Sequence, residues 1–238
     1  MCSVPKAATS NWQRVFNSLK HDGKIQPEDF TGYRVHKIST RFTDILKQNP
    51  KLDPQKELEK RINDPEYTVF MNVRHPFTRL ISAWRDKFDR TKSSFQYWER
   101  KFGKFILMNY ERKEYLVSKP DSHMISKEAF LDYVADVNVK HHDHHWKSFS
   151  KFCKPCFVRY NYITHAETSQ DDGEYILKKA NVSEIVHLPG VYASSPTLKK
   201  STVSLFKNVS GKTVEKLFGS YREDFEIFGY SVEDFLKD

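Results

Sequence analysis

Residues 67–73 read Tyr-Thr-Val-Phe-Met-Asn-Val, an almost unbroken β-prone apolar run, and Arg74-His75-Pro76 follows directly. A strand this apolar must be covered on both faces, which is how strands of parallel sheets are placed. The proline closes the strand and suits the first turn of a helix. Beyond it, Phe77, Leu80, Ile81, Trp84 and Phe88 recur at helical spacing, so 76–89 reads as a helix with one buried face. Arg79, Ser82 and Arg85 recur every third residue along another face, beside Arg74 at the strand tip. Arginine forks match phosphate oxygens; the plainer alternative makes Arg79 and Arg85 ion-pair partners on a solvated face.

The start of the chain repeats this arrangement. A short apolar strand (2–4) enters a turn of Pro5, Lys6, Ala7, Ala8, Thr9 and Ser10. A helix follows with Trp12, Val15, Phe16 and Leu19 on one face. Small residues let backbone approach a ligand, and the first N–H groups of a helix have no intrahelical partners and sit at its positive end, so the turn suits a phosphate. Lys6 adds a point charge, and Thr9 and Ser10 add hydroxyl donors. No glycine precedes Gly23, which excludes a Walker A loop. Two anion-binding turns at the carboxyl ends of strands describe a nucleotide site in an open α/β sheet. The expected fold is therefore α/β, a central parallel sheet flanked by helices. The length of 238 residues suits a single domain, 1–238, with a helical insertion at about 93–139.

The rest of the pattern fills in around these turns. Strands are expected at 33–38 and 157–160, and helices at 40–47, 54–63, 126–137 and 171–179. A final amphipathic helix passes through Val214, Leu217, Phe218 and Tyr221. Aromatic residues make up 14%, with no low-complexity run, which argues against disorder. The net charge of +8 calls for an acidic partner: nucleic acid, an anionic membrane or a polyanionic glycan. No apolar stretch is long enough to span a bilayer. Cys153 and Cys156 read as a structural disulfide or a turn, with Cys2 paired to one of them as the other arrangement. Asn181 and Asn208 fit the N-glycosylation pattern.

The two turns together resemble the sulfotransferases. Val4-Pro-Lys-Ala-Ala-Thr-Ser-Asn-Trp-Gln-Arg-Val15 and Val73-Arg-His-Pro-Phe-Thr-Arg-Leu-Ile-Ser-Ala-Trp-Arg-Asp-Lys-Phe88 are similar to the motifs of the Golgi carbohydrate sulfotransferases. The branch meant is the one that sulfates chondroitin, dermatan, terminal N-acetylgalactosamine and the HNK-1 glycan. His145-Trp146, Cys153-Lys-Pro-Cys156 with Tyr160 and Glu167, and Tyr221-Arg-Glu-Asp-Phe-Glu-Ile-Phe-Gly-Tyr230 extend the likeness in order along nearly the whole chain. Two positions depart from that branch: its frequent Cys-Thr reads Thr9-Ser10, and its Asp-x-Ile-Gly reads Asn161-Tyr-Ile-Thr164.

The resemblance implies a P-loop-like fold that uses 3′-phosphoadenosine-5′-phosphosulfate (PAPS) as sulfuryl donor. Lys6, Ala8, Thr9, Ser10 and Asn11 would hold the 5′-phosphosulfate, and Arg74 and Ser82 the 3′-phosphate. It also implies a glycan acceptor, anionic or neutral and of chondroitin type, with 93–139 helping to form the acceptor groove. Members of the family are type II proteins of the Golgi lumen. The chain is therefore expected to be a catalytic portion, a trimmed form or a naturally short form, with any membrane attachment through an anchor upstream of it.

Sulfuryl transfer is an in-line displacement governed by positioning and electrostatics. Lys6 is expected to meet charge developing on the bridging oxygen. The sugar hydroxyl needs a general base; His145 is the leading candidate, ahead of His75 and of Glu167, which fits better as a structural partner. The mechanism needs no metal. A zinc reading of the histidine run 141–145 beside the cysteine pair lacks the spacing of known sites. The alternatives are an inactive family member that binds glycan or nucleotide, and a basic nucleic-acid-binding protein, for which no binding motif is recognisable.

Overall fold

The computed structural model describes residues 1–32, 34–37, 46–118, 123–190 and 199–236. The helix expected at 40–47 lies mostly outside the described residues. Of the strand expected at 33–38, the described part, Arg34–Lys37, is a helical turn instead. Among the described residues the longest helices and the two strands are, in chain order, α1 (Thr9–Lys20), α2 (Pro54–Asn63), β1 (Phe70–Val73), α3 (Pro76–Lys87), α4 (Lys127–Asp136), β2 (Tyr162–His165), α5 (Ser169–Lys179) and α6 (Gly211–Phe228). They fall into two compact units, Met1–Val73 with Cys153–Ser194, and Arg74–Phe152 with Ser195–Asp238.

The first unit holds the sheet. β1 and β2 run parallel in the register Phe70↔Tyr162 to Val73↔His165. Cys2 adds a parallel bridge to Met71, its N–H donating to the Phe70 carbonyl at 3.0 Å. All four β1 residues are buried, as the apolar run requires. The strand is shorter than its sequence suggests because Tyr67 closes a turn onto the Asp64 carbonyl, and the Val69 N–H bonds to the Asn161 side chain. The second strand lies at Tyr162–His165 rather than at 157–160, where the chain turns instead on the Lys154 carbonyl. Trp12 of α1 packs on Phe70 with ring centroids 4.5 Å apart, and Ile176 and Leu177 of α5 join the same core. A Cys2–Cys153 disulfide ties the unit's two chain segments together and leaves Cys156 an exposed free thiol. A pairing of Cys153 with Cys156 is thereby ruled out.

The second unit is helical. α3 buries Phe77, Leu80, Ile81 and Trp84 in a core shared with Phe130, Trp146, Leu217 and Phe225. Ser126 caps α4, accepting the Ala129 N–H at 3.1 Å, and Ser210 caps α6 in the same way through Thr213. Gly229 closes α6 in the left-handed conformation, φ 67°. Residues 95–118 form short helical segments, as expected for that region, but a π-helical turn at Glu99–Gly103 interrupts them. No described helix is long and apolar enough to cross a membrane.

Candidate active site

In the first unit the loop before α1 is shaped by backbone that only a supported turn tolerates. Lys6 and Ala8 have φ of 70° and 52°, the left-handed region, which is unfavourable for residues carrying a Cβ. The support is visible. Asn72, buried in β1, donates its side-chain N–H to the Ala7 carbonyl at 2.8 Å, and its own oxygen accepts from Thr164 of β2 at 3.0 Å. Both strands therefore hold the loop. An asparagine inside an otherwise apolar strand is the signal that sequence reading passed over.

Helix α1 begins directly after this loop, two residues earlier than expected, so Thr9 and Ser10 belong to its first turn. That start has no side-chain cap and no acidic residue. The Asn11 N–H donates to the Ala8 carbonyl at 3.0 Å, and the Thr9 and Ser10 N–H groups stand at the positive dipole end, which favours an anion. Lys6 and Thr9 are partly buried beside it and Ser10 is exposed. The Thr9 hydroxyl bonds to the Val4 carbonyl, which ties the loop's two ends together. The Asn11 side chain accepts from Arg14 at 3.2 Å.

In the second unit Arg74 sits at the mouth of α3. Its Nε donates to the Thr78 hydroxyl at 3.1 Å, and that hydroxyl donates to the His75 carbonyl at 3.0 Å, so the guanidinium is braced beside the helix start. Ser82 is buried on the same helix. His75 is not placed to act as a base. Its Nδ1 accepts the Phe77 N–H at 3.2 Å, which leaves Nε2 to donate to the Ser231 carbonyl at 3.0 Å. Phe77, Phe225, Tyr230 and Phe235 enclose the ring.

Arg79 corrects the reading of a solvated or anion-facing arginine. It is 1% exposed, donates to the carbonyls of Lys147 at 2.5 Å and His144 at 2.9 Å, and lies 4.5 Å over the Phe149 ring. Burial draws its pKa down to about 10, with Tyr221 and Asp224 acting the other way. A helical face defined by spacing alone does not distinguish a cation that clamps a loop from one that meets a ligand.

The clamped loop carries His145. Its Nδ1 lies 2.7 Å from Asp143 Oδ1, and its backbone N–H donates to the same oxygen at 3.1 Å. Lys101, delivered by the π-helical turn, donates to Asp143 Oδ2 at 2.8 Å. The Trp98 ring meets the imidazole edge-on at 4.8 Å. Burial pushes the Asp143 carboxyl upward, but the hydrogen bonds from His145 and Lys101 outweigh it and hold the group well below the usual carboxylate range. Burial draws His145 down to about 4, overriding the opposing pull of Asp143. At neutral pH an ionised Asp143 accordingly accepts the Nδ1 proton, and the Nε2 lone pair is available as a proton acceptor. Sequence reading singled out His145 and passed over Asp143, whose only signal was a carboxylate two residues away in the same run.

Glu167 lies in a short 3-10 turn after β2. The zinc reading with the cysteine pair fails because Cys153 is spent in the disulfide.

A profile described as "Sulfotransferase family" matches residues 1–231. Carbohydrate sulfotransferase 11 of Rattus norvegicus is 29% identical over 241 residues, covering 99% of this chain and 65% of that protein. Carbohydrate sulfotransferase 10 of Gallus gallus is 29% identical over 250 residues, covering 99% and 64%. The human carbohydrate sulfotransferase 10 is 28% identical over 250 residues, covering 99% and 65%. The chain thus spans about 65% of the length of the curated relatives it matches. No solved structure matches it.

Proposed function

The chain belongs to the sulfotransferase family, and from that premise we propose that it moves a sulfuryl group from PAPS to a hydroxyl of a glycan. The observation that carries the reading is the loop ahead of α1: two non-glycine residues held at positive φ, braced by Asn72, in front of a helix start with no cap and no acid. Strained backbone aimed at an uncapped helix start suits an anion with several oxygens, such as a phosphosulfate.

In this reading the first-turn N–H groups of α1, with the residues Ala8, Thr9, Ser10 and Asn11, hold the 5′-phosphosulfate. Lys6 neutralises charge that develops on the bridging oxygen as the S–O bond breaks. Arg74 and Ser82 take the 3′-phosphate, the braced guanidinium supplying the bidentate fork. His145 takes the proton of the attacking sugar hydroxyl at Nε2, with Asp143 fixing the ring and its tautomer. The sulfuryl group passes to the hydroxyl oxygen, and adenosine 3′,5′-bisphosphate leaves. No step requires a metal.

The names of the relatives support a carbohydrate acceptor, and a chondroitin-type glycosaminoglycan fits the net charge of +8. A Golgi lumen is the setting that agrees with the Cys2–Cys153 disulfide and with the exposure of Asn181 and Asn208. The test is incubation with radiolabelled PAPS and a panel of desulfated glycosaminoglycans. Label appearing on one of them supports the reading, and label on none overturns it.

A further inference from the structure

We propose that Asp143, His144 and His145 form a site for a divalent transition-metal ion such as Zn²⁺, and that an ion bound there inhibits the enzyme. The ligand atoms of these three residues lie within 4.8 Å of one another. Two imidazoles converge on one oxygen: Asp143 Oδ1 lies 3.3 Å from His144 Nδ1 and 2.7 Å from His145 Nδ1. Ligands about 2.0–2.2 Å from a tetrahedral zinc stand roughly 3.3–3.5 Å from one another. The His144 pair already has that separation, and the His145 pair reaches it by opening about half an ångström.

Two further features fit. Lys101 holds Oδ2 of the same carboxylate, so Oδ1 is the oxygen presented to both rings. The His144 side chain is 51% exposed, which gives an ion a way in and leaves a coordination position for water. His144 has no part in the proposed transfer, yet its Nδ1 is turned to the carboxylate rather than outward.

Inhibition follows from which atom is used. An ion on His145 Nδ1 takes the place of the proton shared with Asp143; the neutral ring then carries its one N–H at Nε2, which has no lone pair left to take the proton of the sugar hydroxyl. The Lys101 ammonium opposes the ion electrostatically, so the site is of moderate affinity and suits reversible inhibition rather than a permanent structural metal. The inhibitory part rests on the reading of His145 as the base; the binding part does not.

The test uses chelator-stripped full chain titrated with Zn²⁺ against a chromophoric competitor, and with Co²⁺ by its visible absorption. All titrations are repeated on a Cys156→Ser background, which removes the exposed thiol as a competing ligand. The expected result is one ion per chain, with His144→Ala weakening binding by at least about tenfold, Lys101→Gln tightening it, and metal-free transfer by His144→Ala matching wild type. Zinc should inhibit wild type over the range in which it binds and inhibit His144→Ala only at correspondingly higher concentration. Zinc that does not bind stoichiometrically, or binds equally to His144→Ala, overturns the site. Binding without inhibition overturns the inhibitory role. If no protein transfers sulfate but zinc binds as described, the proposed function fails and the site stands.

Discussion

Removing the Cys2–Cys153 disulfide should weaken the first unit severely. The bond joins residues 151 positions apart and links the two segments from which that unit is assembled. A cross-link over a loop of this length removes about 17 cal/mol/K of entropy from the unfolded chain, about 5 kcal/mol near room temperature. That figure is a ceiling, because unfolded chains keep some structure, and removal of native disulfides typically costs about 2–5 kcal/mol. The loss should concentrate on the register of Cys2 beside β1, since Cys2 enters the sheet only through its bridge to Met71. The assay is urea unfolding of a Cys2→Ser/Cys153→Ser double variant labelled with fluorotryptophan. Trp12 belongs to the first unit, so its fluorine resonance reports that unit's own midpoint. Cys156→Ser serves as the control and should unfold like wild type, since that thiol is exposed and unbonded. A double variant within about 1 kcal/mol of wild type at the Trp12 probe would refute the reasoning, because so long a loop cannot be closed without large entropic consequence.

Two substitutions test the supports of the candidate site. Arg79→Met deletes a fully buried cation that donates to the His144 and Lys147 carbonyls, and should cost about 3–5 kcal/mol in chemical denaturation, with the rate of transfer falling because the loop bearing His145 loses its clamp; a stable variant with unchanged rate contradicts this role. Asn72→Ala orphans the Ala7 carbonyl and frees a loop with two residues at positive φ, so stability should fall by about 1–3 kcal/mol and the KM for PAPS should rise, measured by denaturation and initial rates, while an unchanged KM argues against a positioning role.

The parts legible in the sequence were those fixed by local physics. The apolar run of 67–73 required burial on both faces, and β1 has it; helical spacing located α1, α3 and α6; the turn before Trp12 and the histidine of the His-Trp pair stood out as chemistry. What was not legible depends on partners distant in sequence. Whether Arg79 meets an anion or a backbone carbonyl is decided by residues 144–147, on which helical periodicity is silent. Asn72 reads as a blemish in a strand until Ala7 and Thr164 stand beside it. The disulfide partner of Cys153 is set by parallel pairing near the chain start, and spacing favoured Cys156 instead. Asp143 was hidden among histidines, since a sequence does not tell which neighbour of a ring faces its nitrogen.

In the proposed reading, donor binding and proton removal are done by different groups, Arg74 and His145. The most direct measurement pairs calorimetric binding of PAPS with the rate of label transfer to a glycan, for wild type, Arg74→Ala and His145→Gln. Arg74→Ala should weaken PAPS binding by about tenfold or more. His145→Gln should bind PAPS as wild type does and transfer about 10²–10⁴ times more slowly. A His145→Gln protein that transfers at the wild-type rate, or an Arg74→Ala protein with undiminished PAPS affinity, would contradict the account.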